Sequence, residues 1–444
     1  MKILIKNAEI VTMNLQEEIL HGDILIENDR IAGIGELGDV QADQIIDATH
    51  RTVIPGFIQT HIHLCQTLFR GQADDLELMD WLKKRIWPLE ASHDAESSYY
   101  SAMLGIGELI QSGTTSIVDM ETVHHANEAF QAMADSGMRV LSGKVMMDKG
   151  DEVPARLREK TNESIQASVD LLEKWHNHDQ GRIQYAFCPR FVVSCTEELL
   201  IEVRDLSAQY KVRIHTHASE NRGEIELVER ERGMRNVVYL DHLGLANERL
   251  ILAHCVWLNE EEKRIIRERG VKVSHCPGSN LKLASGIADV PGLLEGDAFV
   301  SLGADGAPCN NNLDMFNEMR LAAIIQKPHH GPTCMDAQTV FRMATIGGAK
   351  AMGLDQEIGS LEVGKKADLA ILNLNGFHMY PSFGADTISR IVYSATRADV
   401  ETTMVNGKIV MQNRVMKTMD ESIVLKESNK SIKRLLAKLP HLHY

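Results

Sequence analysis

The sequence predicts an α/β protein: a (β/α)8 barrel of the TIM type with a small β-rich domain assembled from both chain ends. Three observations carry that expectation. About eight apolar strand-like runs alternate with helical segments from Val53 to Asp305. Short strands and turns fill the first 55 residues, and the same texture returns after about residue 355. A chain of 444 residues also exceeds what one hydrophobic core organises, unless a barrel carries an attachment. The expected division is 1–55 with 355–425 for the small domain, 56–354 for the barrel, and 426–444 for a C-terminal helical tail.

In chain order, Ile3-Leu4-Ile5, Ala8-Glu9-Ile10-Val11, Asp23 to Ile26 and Arg30 to Ile34 read as short strands between Asn-Asp and Gly breakers. Val53 to His63 opens the barrel, with Pro55-Gly56 marking where its first strand is entered. Asp94 to about Gln111 has helical periodicity closed by Gly113, and Thr114 to Asp119 follows as a strand. Further strands are read at Val140–Val145, Ile183–Phe187, Val212–His217, Leu250–His254, Val271–His275 and Phe299–Asp305. Beyond the barrel, Ala367 to Leu372 is strand-like, and Thr403 to Val410 reads as strand, Asn406-Gly407 turn, strand. Glu421 to about Lys438 is a charged amphipathic helix, expected to pack on the surface or against a second copy in a homo-oligomer.

Composition narrows the function. The formal charge of −15, with no offsetting cluster of Lys and Arg, argues against nucleic acid. Met1-Lys2-Ile3-Leu4-Ile5-Lys6 lacks the apolar run of a signal peptide, and no apolar span is long enough for a bilayer. Seven cysteines without zinc-finger spacing fit reduced thiols. The expected setting is the cytoplasm, without membrane or nucleic-acid partners.

The chemistry lies at the strand ends. His61 and His63 alternate along a strand, so they face the same side. His217, His254 and Asp305 close later strands, and barrel sites gather at C-terminal strand ends. His61, His63, His217 and Asp305 together offer three neutral nitrogens and a carboxylate, a donor set for one divalent metal: zinc first, ferrous iron second. Glu220, three residues past His217, is placed to act as general acid/base. His254 would hold a water or polarise the substrate, and Asp305 would also take the water's proton. Singly, each histidine is more often structural; the coincidence of all four ligands at strand ends favours a site. His215 and His275 are read as structural or supporting. Cys255 and Cys276 are read as packing, and Glu260 to Arg264 as a solvated helix face.

These motifs resemble the amidohydrolase superfamily in its mononuclear aminohydrolase branch. The matching stretches are Pro55-Gly56-Phe57-Ile58 through His61-Ile62-His63, His217-Ala218-Ser219-Glu220, Ala253-His254-Cys255, His275-Cys276-Pro277-Gly278-Ser279-Asn280 and Gly303-Ala304-Asp305-Gly306. The resemblance implies a β-sandwich-like small domain, and hydrolysis of a ring C–NH2 or, in some members, C–Cl bond. Tyr185 to Phe191 lacks the lysine that bridges two metals in dinuclear members, which implies one metal. Gln66, Arg190 and Phe191 are similar to the ring-reading residues of guanine deaminases. Trp87-Pro88-Leu89-Glu90 and Asn310-Asn311-Asn312-Leu313 are similar to methylthioadenosine/S-adenosylhomocysteine and 5′-deoxyadenosine deaminases, where a glutamate matching Glu90 holds ribose hydroxyls. In those a histidine stands where Arg190 is here. Gln66, Glu90, Arg190, Phe191 and Cys309 are thus the expected substrate-binding residues, although packing explains Cys309 equally well. An oxo-amino base such as guanine or isocytosine is the leading expected substrate. A 5′-modified adenosine follows, and an amino- or chloro-triazine is third.

Overall fold

The computed structural model describes residues 1–439. Its central sheet runs through Phe57–His63, Thr114–Glu121, Arg139–Met146, Ile183–Pro189, Arg213–Ala218, Leu250–His254, Lys272–His275 and Phe299–Leu302, each strand parallel to the one before. Two residues later the last strand resumes as Asp305–Gly306, which pairs in parallel with Ile62 and His63 of the first. The sheet therefore closes into an eight-stranded TIM-type barrel, and helices cross between its strands.

The last strand differs from expectation by breaking at Gly303-Ala304. Gly303 lies against the first strand, where a Cβ would stand 2.7 Å from the His61 nitrogen. Only glycine permits that approach, and the bend there turns Asp305 into the barrel mouth. Inside the barrel, the Thr60 hydroxyl meets Ser274 Oγ at 2.7 Å and Ser301 Oγ at 2.8 Å, so these buried hydroxyls satisfy one another.

A second nine-stranded sheet joins both chain ends. Thr52–Pro55 stands at its centre, pairing with Lys2–Val11 on one side and Leu369–Leu372 on the other. The two runs expected between Ile3 and Val11 are one strand, because a bulge between Ile5 and Ala8 absorbs the break, with Asn7 at φ 62°. Asn406 and Gly407, at φ 53° and 71°, form the expected hairpin turn. Arg139 at the start of the third barrel strand donates two hydrogen bonds to Asp368, at 2.7 and 3.1 Å, in a buried ion pair joining the two sheets.

Asp94 caps the helix Ala95–Gln111 through a reciprocal bond with Ser97. The C-terminal helix spans Glu421–Ala437, starting where the sequence places it, and Asp420 caps it through the Ile423 amide. The end of the expected C-terminal tail, residues 440–444, lies outside the described residues. The helix docks on this same chain: Arg434 pairs with Asp94 and Glu96, and Leu435 packs with Leu68, Phe69 and Leu89. Among the described residues no helix is long and apolar enough to cross a membrane.

Candidate metal centre and its pocket

At the mouth of the barrel the strand ends bring His61, His63, His217, His254 and Asp305 together. The ring nitrogens of His61, His63 and His217 lie within 4.8 Å of one another, as do the donor atoms of His61, His254 and Asp305. Asp305 Oδ1 is 3.3 Å from His61 Nε2 and 3.4 Å from His63 Nε2. His63 Nε2 and His217 Nε2 are 3.2 Å apart.

The other side of each ring decides what these atoms are. His63 Nδ1 faces the Met120 carbonyl at 2.8 Å, and His217 Nδ1 faces the Arg190 carbonyl at 2.7 Å. A carbonyl only accepts, so each Nδ1 carries the proton and each Nε2 is a bare lone pair. Two lone pairs at 3.2 Å, with a carboxylate oxygen beside them and His61 Nε2 buried without a hydrogen-bond partner, repel one another unless a cation lies between. These residues fit a divalent metal. Burial pulls His61 down to about 4 and takes His217 well below its ordinary value, which keeps both neutral, as ligands must be.

Glu220 stands beside this cluster. Its Oε2 is 3.5 Å from His254 Nε2, and Ser285 Oγ donates to its Oε1 at 3.4 Å. Burial pushes Glu220 up to about 7, which stores a proton for delivery near neutrality. His254 donates through Nδ1 to Asn280 Oδ1 at 2.9 Å, leaving Nε2 aimed at Glu220 and Asp305. Both His254 and Asp305 take left-handed backbone, at φ 73° and 63°, which turns their side chains inward at the strand ends.

A pocket opens over these groups, lined also by Gln66, Arg190, Phe191, Leu78, Trp81, Leu82 and Leu283. The short helix Leu78–Trp81 and the wide turn after it supply its apolar side, which no single motif in the sequence marks. Glu90 and Cys309 do not reach the pocket. Cys309 is buried with Sγ against the Gly306 carbonyl at 3.0 Å, so it packs. Glu90 lies behind Gln66 and Arg190: Arg190 donates to it at 2.6 and 3.2 Å, and Gln66 Nε2 at 2.9 Å. The expected ring-reading pair is therefore held by a shared carboxylate. Since a carboxylate only accepts, Gln66 must offer it the amide NH2, and its own Oε1 is left buried and unpartnered.

That buried ion pair makes a prediction about stability. Glu90→Ala leaves the Arg190 charge without its partner, which costs about 3–5 kcal/mol. The expected result is a much earlier urea midpoint, with Glu90→Gln falling between; a midpoint unchanged in Glu90→Ala refutes it.

Comparison with known proteins agrees over the full length. Residues 52–410 match the amidohydrolase family. The chain is 42% identical over 435 residues to a 5′-deoxyadenosine deaminase of Methanobrevibacter smithii, covering 98% of each. It is 40% identical over 443 residues to a 5-methylthioadenosine/S-adenosylhomocysteine deaminase of Syntrophomonas wolfei, covering 99% of this chain and 100% of that one. Among solved structures, an adenosine deaminase from Xanthomonas campestris with bound zinc superposes with a TM-score of 0.92 at 32% identity, over 98% of both chains. With its barrel, its strand-end histidines and this near-complete coverage, the chain belongs to the amidohydrolase family.

Proposed function

We propose that the protein is a zinc-dependent deaminase of adenosines modified at the 5′ position, releasing ammonia from the purine amino carbon. The observation that carries the nucleoside over a free base is the near-full-length identity with 5′-deoxyadenosine and methylthioadenosine/S-adenosylhomocysteine deaminases. This reverses the order expected from the sequence, where an oxo-amino base led and a triazine came third. That order rested on Gln66 and Arg190 as ring readers, and Glu90 takes up part of each, leaving Gln66 Oε1 and the remaining Arg190 N–H groups for a substrate. The apolar wall of Leu78, Trp81, Leu82 and Leu283 agrees with a 5′ carbon that carries no hydroxyl.

His61, His63, His217 and Asp305 would hold the metal, which supplies Lewis acidity and lowers the pKa of water. The protein's own groups do the rest. Glu220 gives its proton to a ring nitrogen, which makes the amino-bearing carbon electrophilic. As water adds there, Asp305 accepts its proton, and His254 Nε2 steadies the entering oxygen by hydrogen bonding. Asp305 then passes that proton to the amino nitrogen, ammonia leaves, and the added hydroxyl gives its own proton back to Glu220 as the ring carbonyl forms. Ribose hydroxyls both donate and accept, matching the free Gln66 Oε1 and the Arg190 N–H groups not used by Glu90. Phe191 lines the same pocket and offers an apolar contact to the base. On this reading residues 1–55 and 355–425 form a small sandwich-like support to the barrel of 56–354.

An ammonia-release assay on the zinc-loaded protein tests the substrate. 5′-Deoxyadenosine and methylthioadenosine are expected to give kcat/KM at least about 100-fold above guanine, isocytosine or an aminotriazine. A faster reaction with guanine would overturn the assignment.

A further inference from the structure

His215 and His217 alternate along the fifth strand, and only His217 reaches the ligand cluster. His215 is fully buried, and its Nε2 lies 2.8 Å from His61 Nδ1. Its other nitrogen, Nδ1, faces the Ile251 carbonyl of the sixth strand at 3.2 Å. That carbonyl sets the direction of the whole chain of bonds. It can only accept, so His215 Nδ1 carries the proton and His215 Nε2 is an acceptor. His61 Nδ1 must then donate to it, and His61 Nε2 is left as a lone pair aimed at the cluster. The reverse arrangement would set a bare His215 Nδ1 against the Ile251 oxygen. It would also turn His61 Nε2 into a donor to Asp305 rather than a ligand.

We propose that His215 is a positioning residue for the metal centre, holding His61 in the tautomer whose Nε2 binds the cation. His63 and His217 are locked directly by backbone carbonyls, which no substitution removes. His61 alone is locked through a side chain, so its tautomer can be lost by mutation. Partners of this kind orient ligands in metal sites generally, and their loss weakens metal binding by about 10–100-fold. The proposal rests on reading His61, His63, His217 and Asp305 as a metal site.

The experiment measures zinc affinity by competition with a chromogenic chelator for the wild-type protein, His215→Leu and His215→Gln. Leucine keeps apolar bulk but accepts nothing; glutamine's amide oxygen can accept from His61. The expected result is a loss of about 10–100-fold for His215→Leu and of no more than about threefold for His215→Gln. Activity of His215→Leu should return when zinc is raised, with KM unchanged, which a general packing defect would not produce. Zinc binding by His215→Leu as tight as the wild type overturns the proposal. If the leucine variant does not fold, His215→Gln decides: affinity within about threefold supports it, and a loss of tenfold or more overturns it. A wild-type protein that binds no zinc overturns the metal site itself, an outcome distinct from equal binding by all three.

Discussion

Glu220→Gln is expected to lower kcat by about 10²–10⁴-fold while leaving zinc content and folding intact. The amide matches the carboxyl in shape and can still accept from Ser285, but it has no proton to give a ring nitrogen. The pH profile gives a second reading. Burial raises Glu220 to about 7, so its protonated form prevails below that pH and is lost above it. A rate that depends on a protonated Glu220 therefore falls about tenfold per unit on the alkaline side, and this limb should vanish in Glu220→Gln. A variant with near wild-type turnover and the same alkaline limb removes Glu220 from the mechanism.

Chelation is expected to have the other large effect, abolishing turnover with recovery on adding zinc. It should also lower stability, since a ligand bound only by the folded state stabilises it by RT ln(1 + [L]/Kd), about 4 kcal/mol at a thousandfold excess over Kd. At the cluster the reason is specific: without a cation, the facing lone pairs of His63 and His217 and the Asp305 carboxylate repel one another. The melting temperature should accordingly climb with zinc concentration. Full activity after exhaustive chelation would sink the metal reading.

The parts of this arrangement legible in the sequence were those with local periodicity. His61 and His63 declare themselves because a strand turns alternate residues to one side, and His217, His254 and Asp305 because each ends an apolar run. The Asn406-Gly407 hairpin is equally local. What could not be read depends on contacts between distant residues. Glu90 and Arg190 are 100 positions apart, so nothing in either neighbourhood shows that one occupies the other. For His215 the sequence leaves structural and supporting roles open, and only the Ile251 carbonyl and His61 on either side of it separate the two. The break at Gly303 was hidden because its cause is a neighbouring strand, not its own sequence.

The left-handed backbone at His254 and Asp305 has an evolutionary side. Conformations of that kind cost of order 1–3 kcal/mol each, so the catalyst is least comfortable where it is most useful. A laboratory lineage selected only for heat tolerance would drift toward relaxing these two positions and end with robust but inert proteins. Selection that couples survival to turnover would keep the tension, and should find its gains in thermotolerance far from the barrel mouth.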